Sequence, residues 1–330
     1  MKKLALLLAA LSVASVSYAK EVMPVAEPVV EEEVVVEAPV VEVKAAPVLR
    51  VTSVGQYLEI DNTSNGTKAD GSYMGENVGE GIHLGNKVGL ALGDNWTFDL
   101  MARKTWRAST DRTPATKDEP NGFKGMESNG HRLDLEATRH FENFTVGAKW
   151  RGEKNLDKFY LPVSYNFGMI SGWATPAYTF YDDGQDAFYL EAEPVVLSYG
   201  PVQLAYYFEG EKFTGDGDYK EDYDSFHDHW YNHQVRLRGT LYSNDVLTLG
   251  VEYRYQFESE DVYKDKATGE EFKLENNRHI AILSAAYNVT ENLVIDTYYE
   301  YDFNKYDTHT NVSVDDDYYG EFGLGWTYNF

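Results

Sequence analysis

Residues Glu321–Phe330 read EFGLGWTYNF. Phe322, Leu324, Trp326, Tyr328 and Phe330 fall at strict two-residue spacing, with Gly323, Gly325, Thr327 and Asn329 between them. Side chains of a β-strand alternate between its faces, so this stretch is a strand with one wholly apolar, aromatic-rich face and one small or polar face. Such a strand suits hydrocarbon on one side and water on the other, which is the condition of a membrane-spanning β-barrel. A terminal aromatic on a strand of this kind is what the outer-membrane assembly machinery of Gram-negative bacteria recognises, so these five residues form a candidate assembly signal. The competing reading is an edge strand of a soluble sandwich, and the rest of the chain decides between them.

Working back from that strand, the same alternation recurs. Leu247, Leu249, Val251, Tyr253, Tyr255 and Phe257 share one parity, as do Phe144, Val146, Ala148 and Trp150, and Ile82, Leu84, Val88, Leu90 and Leu92. Fourteen strands are predicted, near 51–60, 81–92, 96–106, 131–141, 144–150, 159–167, 173–181, 187–197, 202–208, 231–241, 247–257, 278–287, 293–303 and 318–330. In 173–181 and 278–287 neither parity is clearly apolar, so counts of twelve to sixteen stay open. The connections alternate in length. Six short turns rich in Gly, Asn, Asp and Pro face one side. Seven mostly longer polar loops, around 61–80, 107–130, 151–158, 182–186, 209–230, 258–277 and 304–317, face the other. An even count with this alternation is the pattern of an antiparallel up-and-down outer-membrane barrel, its short turns in the periplasm.

The bulk properties fit. The mean hydropathy of −0.48 gives no sign of a spanning helix, but alternating lipid-facing and lumen-facing residues cancel in any average. Twenty-six Tyr and 15% aromatic content suit rings lining both membrane interfaces. The absence of Cys leaves neither a disulfide nor a lipoprotein anchor. Lys2 and Lys3, the apolar run from Leu4 to Val13 and Ser17-Tyr18-Ala19 read as an export signal over residues 1–19. Residues 20–49, built from Glu, Val, Ala and Pro with four of the ten prolines, read as an extended periplasmic linker. The barrel is placed at 50–330. A net charge of −25 excludes a nucleic-acid partner, which needs a basic surface, and is compatible with cations.

If the apolar parity faces lipid, the opposite parity faces the lumen. It carries Arg103, Lys149, Arg236, Arg238 and Arg254, and Glu191, Glu193, Glu252, Asp296, Glu300 and Glu321, all candidate pore-lining residues. Facing arcs of opposite charge are expected to set a transverse field across a wet constriction. Inward glycines, among them Gly85, Gly89, Gly323 and Gly325, are expected to leave room in the tube. No cofactor is called for. The acidic stretch Gly215–Asp228 lacks the register of an EF-hand and reads as a solvated loop. Loose calcium binding by that stretch is the alternative, and His227, His229 and His233 share strand parity and could chelate a metal, though no supporting acid stands in defined register. Pairs such as His131 with Asp134 or His279 with Asp302 arise by chance, and nothing singles out a catalytic constellation, so no enzyme is expected.

The N-terminal stretch MKKLALLLAALSVASVSYAKEVMPVAEPVVEEE, with its Ala19–Pro24 junction, resembles the FomA-type major outer-membrane porins of fusobacteria. The likeness is specific over about thirty residues and architectural beyond them. It implies a non-specific, voltage-gated diffusion porin, often a homotrimer and exposed enough to act in adhesion, while the barrel reading itself adds outer-membrane lipid and lipopolysaccharide as partners. Together the expectations are of a channel for small hydrophilic solutes and ions with weak cation preference. The alternative is a surface structural or adhesive barrel with a closed lumen.

Overall fold

In a computed structural model the described residues are 48–64, 78–110, 123–182, 184–214, 225–308 and 317–330. The expected export signal and almost all of the linker lie outside them. The strands are β1 (Leu49–Ser64), β2 (Val78–Leu92), β3 (Trp96–Thr110), β4 (Phe123–His140), β5 (Phe144–Glu153), β6 (Leu156–Tyr160), β7 (Val163–Asn166) and β8 (Ile170–Tyr181). They continue as β9 (Asp186–Tyr199), β10 (Val202–Thr214), β11 (Ser225–Ser243), β12 (Leu247–Asp265), β13 (Glu271–Asn288), β14 (Leu293–Thr308) and β15 (Asp317–Asn329).

Apart from β6 and β7, each strand pairs antiparallel with its sequence neighbours, and β1 pairs with β15, which closes the barrel without a free edge. β6 and β7 are two pieces of one wall position. Both pair with β5 on one side and β8 on the other, and Leu161-Pro162 separates them. A proline has no N–H to give to the ladder, which is why the single strand expected at 159–167 breaks there. The wall therefore has fourteen positions, as the alternation predicts.

Burial is inverted relative to a water-soluble protein. On β11, Gln234 and Arg236 are 5% and 8% exposed, while the neighbouring Val235 and Leu237 are 40% and 47% exposed. The sheet has turned its polar face inward and its apolar face outward, which is stable only where hydrocarbon surrounds the outer wall. The chain is thus an integral outer-membrane β-barrel. Among the described residues no helix is long and apolar enough to cross a membrane, so the strands do the crossing.

Several expected loops are wall instead. β11 and β12 are 19 residues each and β13 is 18. At about 3.3 Å per residue, 19 residues reach roughly 60 Å, well beyond the ~30 Å hydrocarbon layer even when tilted. The expected loop 258–277 is mostly a β12–β13 hairpin extension closed by Lys266–Glu270, and the expected connection 151–158 shrinks to Lys154-Asn155. These extensions are too polar to show the two-residue alternation by which the spanning segments were read.

Candidate functional site

The candidate site is the inward face of the wall. All eleven sequence-predicted residues fall on inward parity, but they do not form two facing arcs of opposite charge. Instead acids and bases interleave along the wall in ion pairs.

One group runs over β9, β11, β12 and β14. Glu193 accepts Arg236 Nη1 at 3.1 Å and Arg238 Nη1 at 2.9 Å, and Arg238 Nη2 closes a second bond to the same carboxylate. Arg238 Nε continues to Glu252 at 3.2 Å, Arg254 Nε meets Glu252 at 2.6 Å, and Arg254 Nη1 lies 3.6 Å from Glu300. Arg238, Glu252, Arg254, Glu300 and Glu321 line one chamber of about 650 Å³ together with Tyr298 and Ser284. Arg236 and Glu193 are buried behind this surface. Two charges taken out of water need partners, and here each supplies the other's.

A second group lies on β3–β5. Asp134 is the hub, accepting Arg132 at 2.6 Å and Arg151 at 3.1 Å, with Lys149 at 3.3 Å; Lys149 also reaches Glu136 at 3.7 Å. Arg103, Arg132, Asp134, Glu136 and Lys149 line a chamber of about 370 Å³ with Glu59 and Tyr57.

Glu191 belongs to neither chamber. It stands directly across from Glu209 on β10, and like charges so placed repel. Tyr189 and Tyr207 close a ring with them. Tyr189 Oη lies 3.0 Å from Glu191 and 2.7 Å from Glu209, and Tyr207 Oη lies 3.0 Å and 2.8 Å from the same two carboxylates. Lys158 Nζ sits 3.2 Å over the Tyr189 ring and Arg236 sits 3.4 Å over that of Tyr207. Sequence reasoning missed these tyrosines. The signal was present in Tyr189-x-Glu-x-Glu193, Tyr207-x-Glu-x-Glu211 and Tyr298-x-Glu-x-Asp302, three inward runs that place a ring beside two acids.

Asp296 faces Gly325 across the β14–β15 ladder, and Glu321 accepts the Tyr298 hydroxyl, which also reaches Glu59 at 3.2 Å. The inward glycines do not simply leave space. A Cβ on Gly323 or Gly85 would come within 2.0 Å of the Tyr298 or Tyr57 ring, so each glycine is the seat of a tyrosine.

The three histidines do not converge. A bulge between His227 and His229 sends His227 between the Phe213 and Tyr263 rings and onto Asp261, while His229 contacts Asp228 and Glu260 and His233 contacts Tyr206. The chance acid–histidine pairs are not formed either. His279 bonds Tyr253, and Asp134 and Asp302 are taken by arginines. Of the acidic stretch Gly215–Asp228, only Ser225–Asp228 falls among the described residues, as the start of β11.

Phe322, Leu324, Trp326 and Tyr328 line the outward face of β15, each about 40% exposed, and Phe330 stands 69% exposed at its end.

No protein-family model matches the chain, and no curated protein is significantly similar to it. Among solved structures it is similar to OmpT, an outer membrane protein of Vibrio cholerae, at 14% identity over 86% of this chain and 98% of that one, with a TM-score of 0.43. It is similar to an anion-selective porin from Comamonas acidovorans at 12% identity over 85% and 100%, TM-score 0.41. A third similar structure is the outer membrane channel DcaP of Acinetobacter baumannii, at 14% identity over 87% and 98%, TM-score 0.41.

Proposed function

We propose that this barrel is a passive diffusion porin for small hydrophilic solutes and ions. The observation that carries the reading is the chamber of about 650 Å³ on the inner wall, bordered by Arg238, Arg254, Glu252, Glu300 and Glu321 within a barrel whose outer skin is apolar. Charged side chains around open volume hold water, and a water-filled tube through hydrocarbon passes whatever fits it. The net charge of −25 supports a weak cation preference. Trimeric assembly and voltage gating are carried forward from the FomA-type resemblance as properties of this reading, and lipopolysaccharide contact from the outer-membrane location. The outward aromatics of β15, from Phe322 to Phe330, are our candidate for the segment that the assembly machinery binds.

Planar-bilayer recording of the purified, folded protein tests it. Stepwise conductance with a reversal potential slightly toward the cation is the expected result, and no conductance above baseline would end the proposal. The taller wall at β11–β13 favours one second reading, an adhesive barrel presenting that hairpin outside the cell. Liposomes that fail to swell in small sugars would favour it over a channel.

A further inference from the structure

The ion-pair ladder of the larger chamber is closed everywhere except at one step. Glu193, Arg238, Glu252 and Arg254 are joined by contacts of 2.9, 3.2 and 2.6 Å, whereas Arg254 and Glu300 stand 3.6 Å apart. Arg254 is on β12 and Glu300 on β14. Ile282 of β13 lies between them in the ladder, aligned with Glu252 on one side and Glu300 on the other, and Glu321 follows Glu300 in the same row. Guanidinium, apolar floor and two carboxylates thus border a single open volume.

We propose that this step recognises small zwitterions of the α-amino acid class, with Arg254 taking the carboxylate, Glu300 and Glu321 the ammonium, and Ile282 the carbon between. The inference rests on the porin reading. An α-amino acid carries its two charges on adjacent groups, so it inserts head to tail at a stretched ion pair and exchanges one long contact for charge-assisted hydrogen bonds at both ends. A simple anion at Arg254 would meet Glu252, Glu300 and Glu321, and a simple cation at the carboxylates would meet Arg238 and Arg254. Each is disfavoured by the charges that serve the zwitterion. A neutral solute of the same size forgoes the charge assistance. The chamber is open to water, so occupancy stays weak enough to release the solute onward.

Glycine and glycolamide are constitutional isomers, one a zwitterion and one neutral, and their influx into proteoliposomes at low concentration tests the proposal. The expected result is several-fold faster influx of glycine, with Arg254→Gln and Glu300→Gln each bringing glycine down to the glycolamide rate. Equal rates for the two isomers in the unaltered barrel would overturn the zwitterion site while leaving the porin reading standing. No influx of either isomer, or of a small sugar, would remove the porin reading itself. Should a variant fail to assemble, the isomer ratio of the unaltered barrel decides alone.

Discussion

Glu193 and Arg238, 45 positions apart in the chain, meet inside the barrel as a two-pronged pair, and the same carboxylate holds Arg236. One acid on β9 therefore pairs with two guanidinium groups on β11 while bridging over β10. Replacing Glu193 by Gln keeps the shape and removes the charge. With Arg236 only 8% exposed, the variant leaves a buried cation without its counter-charge, a loss of about 3 kcal/mol or more. Its urea midpoint should fall accordingly. The reversal potential in a salt gradient should move toward the anion, since Arg238 borders the chamber and keeps only Glu252 of its two acidic partners. An unchanged reversal potential would place Arg238 outside the conduction path.

The ring of Tyr189, Glu191, Tyr207 and Glu209 uses hydroxyl groups to keep two opposed carboxylates together. Tyr207→Phe removes the one hydroxyl proton shared between the two acids and keeps the buried ring. Losing bonds to charged groups costs about 1–3 kcal/mol. Carboxylate repulsion grows as screening falls, so the drop in thermal midpoint should be larger at low salt than at high salt. A salt-independent drop would mean that the hydroxyl only fills space.

The fourteen wall positions were legible because hydrocarbon imposes a strict two-residue period on any strand that crosses it. Where that constraint ends, so does the pattern. The parts of β11–β13 that extend beyond the hydrocarbon are flanked by water, carry residues such as Asp228, Glu260 and Lys273, and read as loop. The break at Pro162 and the bulge beside His227 were also hidden, because a period-two reading assumes an unbroken ladder, and the bulge separates histidines that counting places on one face. Which charge pairs with which depends on contacts across an intervening strand, as in Glu193 with Arg238, and no local spacing encodes them.

Gly323 gives a prediction about packing. A Cβ there would lie 2.0 Å from Cε1 of Tyr298, whose hydroxyl joins Glu59 and Glu321. Gly323→Ala should push the ring off both acids and lower stability by about 1–3 kcal/mol, the usual cost of overfilling a packed site. The cause can be isolated by a double-mutant cycle. Once Tyr298→Ala has emptied the seat, adding Gly323→Ala should cost little further. Equal costs with and without the Tyr298 ring would locate the strain elsewhere in the β14–β15 ladder.

Asp228, on the extension of β11 beyond the hydrocarbon, makes the barrel rim sensitive to acid. Desolvation alone would raise its carboxyl. Hydrogen bonds from Lys212 Nζ at 2.6 Å, His229 Nδ1 at 2.7 Å and Lys264 Nζ at 3.0 Å outweigh that effect and hold it well below the usual carboxylate range. A group whose pKa is depressed in the folded state stabilises that state fully above its unfolded value, about 3.9 for Asp, and loses the contribution as pH falls through the folded value. The junction of β10, β11 and β12 at this end should therefore keep constant amide protection from pH 8 to pH 5 as far as Asp228 is concerned, and weaken only below about pH 4. Asp228→Asn should lower protection of these amides throughout the upper range, with the difference from the unaltered barrel shrinking as the medium becomes strongly acidic. Hydrogen exchange compared at pH 6 and pH 3, corrected for intrinsic rates, reads this directly. A difference of the same size at both values would show that the carboxylate charge is not what ties the three strand ends together.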